Sequence, residues 1–194
     1  MPKLPSRLNE KTPNYYIIYG LIAIGVVARL LPHPANFAPI SALALFSGAY
    51  LSRRNAIIIP LAAMLISDIF LGFHIIMPYV YTSFLIVALL GVYLKNNIKF
   101  RNIFALSLSG SLIFFIITNF GVWLQSGMYP HTLTGLASCF TLAIPFYRNT
   151  LLGDLVYTTA FFGIYAFVEN VFFARKPNIL HINNVTTINH RRDL

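Results

Sequence analysis

Six continuous apolar runs dominate this chain, and their length is its strongest structural constraint. They are Tyr15 to Leu31, Phe37 to Leu51, Asn55 to Phe73, Met77 to Leu94, Ile103 to Trp123 and Leu151 to Phe173. Most approach the about 20 residues that a helix needs to cross roughly 30 Å of hydrocarbon. In lipid, backbone N–H and C=O groups must be paired within a helix or a closed barrel. Barrel strands would read as short alternating segments, and these runs do not alternate. The pattern therefore predicts an all-α integral membrane protein, a six-transmembrane-helix bundle. A seventh apolar stretch, Gly135 to Tyr147, is shorter and holds Pro145. It is expected as a short helix in the long outer loop between spans five and six, interfacial or packed over other helices.

Composition excludes other classes. Only 10% of the residues are charged and 57% are hydrophobic, against about 25% charged in a soluble domain. There is too little charge to cover a water-facing surface, which excludes an ordinary cytosolic enzyme and a disordered tail. The single cysteine, Cys139, excludes an intramolecular disulfide and a cysteine metal cluster. The N-terminal MPKLPSRLNEKTPN is polar and basic without a small-residue cleavage site, which reads as the start of a retained span. Residues 1–14 are thus expected as a cytoplasmic segment, 15–173 as the membrane domain and 174–194 as a cytoplasmic basic tail.

The formal net charge of +9 records topology. With six spans and the N-terminus inside, Lys3, Arg7, Lys11, Arg53, Arg54, Lys95, Lys99, Arg101, Arg175, Lys176, Arg191 and Arg192 all fall on the inner side. Only Arg29 and Arg148 of the 14 cations fall outside. Dropping the second span, or promoting Gly135 to Tyr147 to a seventh, breaks the positive-inside pattern. Both termini are expected to be cytoplasmic.

The remaining polar residues then gather at the outer end of the bundle. Arg29, His33 and Asn36 lie around the end of the first span, and Asp68 and His74 at the end of the third. Asn119 and Trp123 end the fifth, while Arg148, Asn149 and Asp154 enter the sixth. Ionisable groups in a span cost about 2.5–3.5 kcal/mol at mid-membrane on insertion scales, and normally face the bundle interior or a wet cavity. These residues are therefore candidates for a substrate-binding pocket open to the outside. Arg29 and Arg148 could hold a carboxylate or phosphate-like group. The formal charges of Arg29, Arg148, Asp68 and Asp154 also cancel, so structural ion pairing is the alternative. Glu169, near the inner end, is expected to pair with Arg175 or Lys176.

Several chemistries lack their residues. There is no GxxxxGK[ST] loop, HExxH or GxSxG, and no defensible Ser–His–Asp spacing. Scattered histidines lack metal-ligand spacing. The basic clusters flank spans without interleaved aromatics, which argues against nucleic acid. No enzymatic activity, cofactor or metal is expected.

The stretch Arg29 to Gly72 resembles the first half of the substrate-binding (S) components of energy-coupling-factor vitamin transporters, through Gly48 to Leu51, Arg53, Arg54, Ser67, Asp68 and Gly72. PHPANFAPISALALFSGAYL (residues 32–51) and RNTLLGDLVYTTAFFGIY (residues 148–165) resemble uncharacterised bacterial membrane proteins described as candidate transport proteins of that type. The resemblance implies a subunit that binds a vitamin or similar solute from outside and docks onto a transmembrane coupling subunit with ATPase subunits. Small residues mediate such docking, and Ala38, Ala42, Ala44 and Gly48 are the nearest candidates. The leading expectation is a subunit for uptake of a small polar solute such as a vitamin or cofactor precursor. The alternative is a structural or scaffold membrane protein.

Overall fold

A computed structural model describes residues 13–32 and 34–172. Residues 1–12 of the expected N-terminal segment, the basic tail, His33 and the expected partners of Glu169 lie outside the described residues. Among the described residues there are six helices and no strand: α1 (Tyr15–Leu30), α2 (Ile40–Tyr50), α3 (Arg53–Leu71), α4 (Met77–Leu94), α5 (Phe100–Gln125) and α6 (Leu133–Phe172).

Local chemistry sets the helix ends. The Asn14 side chain accepts from the backbone N–H groups of Tyr16 and Ile17 at 3.2 and 3.5 Å, capping α1. Pro32, Pro34 and Pro39 interrupt the chain between α1 and α2, because proline lacks a donor and biases the residue before it away from helix. A turn closed by Phe37 N–H on the Pro34 carbonyl at 3.0 Å, with Asn36 at φ 63°, carries the chain across. The N-terminal part of the second apolar run is therefore loop, leaving α2 with 11 residues. Ser52 caps α3 by accepting from Asn55 N–H. Gly72, at φ 93°, ends α3 with its N–H on the Asp68 carbonyl.

α2 is the axis of the molecule. Every residue from Ile40 to Ala49 is buried, and the helix packs against all five others. Lipid supplies no hydrophobic drive between helices, so close backbone approach has to. A Cβ on Gly48 would stand 2.4 Å from the Ala88 carbonyl oxygen, and one on Gly91 2.3 Å from that of Leu45. α2 and α4 therefore meet backbone to backbone. Toward its C-terminal end, Phe46 packs against Phe161, Phe162 and Tyr165 at centroid distances of 5.3–5.9 Å. This aromatic plug closes one end of the bundle.

α3, α4, α5 and α6 are each long and apolar enough to cross a membrane, while α1 and α2 are shorter. Large apolar side chains such as Phe70, Tyr93, Phe104 and Phe167 face outward, as in a multi-pass membrane protein whose solvent is lipid.

The sharpest departure from expectation is α6. Gly135 to Tyr147 is not a separate short helix. It is the first half of one helix of 40 residues, about 60 Å long at 1.5 Å per residue. Pro145 deletes one hydrogen bond from the ladder, but no glycine or loop-forming cluster follows it before Leu151. Thr150 Oγ1 donates to the Phe146 carbonyl at 3.1 Å across that stretch, and packing on α5 holds the helix.

Candidate functional site

At the end opposite the aromatic plug lies a cavity of about 580 Å³. All six helices reach it. α1 supplies Arg29, α2 Ser41, α3 Leu71 and α4 Phe84; α5 supplies Thr118 and Asn119, and α6 Cys139, Thr150 and Asp154. The wall is mostly apolar with a few polar groups, the usual make-up of a small-molecule site of roughly 300–1,000 Å³.

One side of the cavity rests on a polar knot between α1, α3 and α4. Arg29 Nη2 meets Asp68 Oδ1 at 2.5 Å, and Nη1 donates to Ser67 Oγ and to the Met64 carbonyl, the latter at 3.2 Å. The Tyr81 hydroxyl donates to Asp68 Oδ2 at 2.8 Å. Asp68 is 2% exposed and lies behind Arg29 rather than on the cavity wall. Both oxygens of its carboxylate are thus satisfied, one by a cation, as burial demands.

Asp154 sits differently. It is equally buried, at 2%, but stands on the cavity wall. Ser111 Oγ of α5 donates to its Oδ2 at 2.6 Å, and the Ser41 hydroxyl of α2 also reaches the carboxyl. No cation pairs with it among the described residues, where Arg29–Asp68 is the one salt bridge. Below it, Ser107 and Thr158 join α5 to α6 through hydroxyls 3.2 Å apart.

The other expected site residues divide. Asn36, His74 and Asn119 line the cavity. Asn149 is a brace, its Nδ2 donating to the Ala35 carbonyl at 3.1 Å and tying the α1–α2 loop to α6. Phe37 leans on Tyr157 in the same seam. Trp123 is also a brace, with Nε1 on the Pro130 carbonyl at 3.0 Å and its ring against His131. Arg148 is exposed and off the cavity wall. Helical spacing explains the separation, because Arg148 lies six residues from Asp154 and the two point to different sides of α6.

The small-residue face proposed for docking is occupied from within. Ala42 and Ala44 are 1% and 0% exposed, Gly48 is buried against α4, and Ala38 lines the cavity. None of the four forms an outward surface.

Sequence reasoning passed over Tyr81, Ser41, Thr118 and Thr150. Ser41, Tyr81 and Thr118 are hydroxyls inside apolar runs and Thr150 stands just before the sixth run; Ser and Thr hydroxyls in helices commonly bond to the carbonyl one turn back.

A protein-family model, the family of unknown function DUF6580, matches residues 9–178. The chain belongs to that family. The matched region contains all six helices and every residue of the cavity. No curated protein and no solved structure matches the chain.

Proposed function

We propose that this member of the DUF6580 family is a membrane-embedded binding subunit that captures a small solute in the cavity for uptake. The observation that carries this reading is the cavity itself. It has room for a small molecule, all six helices build it, and a buried carboxyl stands on its wall. A bundle serving only as a scaffold would gain nothing from such a void, since unfilled space forfeits packing contacts.

In the proposed topology all six helices cross the bacterial cytoplasmic membrane with both termini inside, as the cation pattern implies. α2 can be short because protein encloses it, and the non-helical stretch before it lines the cavity, where irregular backbone is tolerated at membrane depth. The cavity then opens outward and the aromatic plug closes the inner end. Release would be driven by a transmembrane coupling subunit with ATPase subunits, as the resemblance to S components implies. The contact with that partner would use lipid-facing side chains, since Ala42, Ala44 and Gly48 are buried in the chain's own packing.

Native mass spectrometry of the full chain purified from its own host tests the reading. A bound non-lipid small molecule, lost when the cavity is filled by Ala143→Trp, is the expected result. A chain that carries lipid alone, with or without the substitution, would refute it.

A further inference from the structure

We propose that the cavity takes a small organic cation, an ammonium or amidinium group on an apolar body. This rests on the solute-binding reading above and names the ligand class for that same site.

The charge balance of the wall points to a cation. Two formally charged side chains stand on it, Arg29 and Asp154. Arg29 already meets its counter-charge in Asp68 at 2.5 Å. Asp154 meets only hydroxyls among the described residues. A buried carboxylate without a compensating charge is unfavourable, and an ammonium group entering the cavity supplies that charge together with several N–H donors.

The hydrogen-bonding state of the neighbouring polar groups points the same way. Thr118 Oγ1 donates its proton to the Phe114 carbonyl at 2.7 Å, and Thr150 Oγ1 donates to that of Phe146. Asn119 Nδ2 donates to the Phe115 carbonyl at 2.8 Å. Each of these side chains has spent a donor on backbone and retains an acceptor oxygen. With Asp154, these side chains put four acceptor groups on the wall, beside the donors of Asn36 and the second N–H of Asn119, and a donor-rich ligand can use the acceptors. The rings of Phe84, Phe114, Phe146 and Tyr129 complete the lining. They offer apolar contact to the ligand body.

The test uses three matched probes on the full chain in detergent: 2-phenylethylamine, its neutral isostere 2-phenylethanol, and phenylacetate. Thermal melting reads binding, and each probe is applied to the wild type, Asp154→Asn and Asp154→Glu. The amine alone should raise the melting temperature of the wild type. Asp154→Asn should weaken amine binding by about 30-fold or more, the scale for removing one partner of a buried charge pair, and Asp154→Glu should restore part of it. The wild-type comparison needs no variant, so the proposal is decided even where Asp154→Asn fails to fold. Equal binding of the alcohol or the acid, or full amine binding by Asp154→Asn, overturns the cation assignment and leaves the solute-binding reading standing. No shift with any probe also overturns it. The broader reading falls only where native mass spectrometry finds the wild-type chain without a small molecule.

Discussion

Replacing Arg29 by methionine tests how the three helices around the cavity are held. The Arg29 side chain is 13% exposed and the Asp68 side chain 3%, so the pair is largely sheltered from screening. Arg29→Met leaves Asp68 buried with a single donor, Tyr81, and removes the bonds to Ser67 and the Met64 carbonyl. Breaking a buried pair from one side costs about 3–5 kcal/mol. The partial exposure of the arginine head places the expected loss near the lower figure, about 3 kcal/mol. Arg29→Met with Asp68→Leu removes both charges and replaces them with apolar volume, which is often close to neutral. That double variant still strands the Tyr81 hydroxyl, at about 1–3 kcal/mol, and adding Tyr81→Phe should recover most of this. Equilibrium unfolding in detergent micelles measures each species, and the double-mutant cycle should show coupling of about 2 kcal/mol or more. The loss should change little with added salt. An Arg29→Met cost below about 1 kcal/mol, or single effects that add to within about 0.5 kcal/mol, would show that the ion pair does not hold α1 to α3.

Further predictions follow from single contacts. Gly91→Val drives side-chain atoms into the Leu45 carbonyl and should destabilise the bundle by at least about 1–3 kcal/mol, as overpacking does; size-exclusion profiles after graded heating measure it, and an unchanged midpoint would mean that α2 and α4 do not touch there. Asn149→Ala removes the tie to the Ala35 carbonyl, a net loss of about 0.5–1.5 kcal/mol, and should speed proteolytic cutting of the α1–α2 loop with little change in global melting. Arg148→Ala should leave binding of a cationic probe unaltered, because Arg148 is exposed and off the cavity wall; a large loss of affinity would return it to the site. Cys139 is the only cysteine and lines the cavity, so a small uncharged methanethiosulfonate should label it faster than a bulky dye maleimide, and a bound probe should slow that labelling.

The apolar runs made helices legible because an uninterrupted hydrophobic stretch has one economical backbone solution in lipid. The third, fourth and fifth runs match α3, α4 and α5 to within three residues at either end. The first run matches α1 to within one residue; the second is longer than α2, since Pro39 and the left-handed Asn36 convert its start into loop. The sixth was read too short, since helix continuity through Pro145 depends on packing against α5, which no local propensity reports. For the site, the gathering of Arg29, Asn36, His74, Asn119 and Asp154 at one end was visible, because depth along a span can be counted from its ends. Their individual roles were not.

The sequence alone determined an α-helical protein for lipid, with its few polar groups gathered at one depth. Residue order along a span sets depth, and lipid leaves the backbone few choices. Which charges neutralise each other was decided only by the tertiary structure. Arg29, Arg148, Asp68 and Asp154 sum to zero on paper, yet Arg29 meets Asp68 while Arg148 is exposed and Asp154 faces a cavity. Pairing depends on azimuth around each helix axis and on how closely α2 admits its neighbours. Both are set by contacts such as Gly48 on Ala88, between residues far apart in the chain.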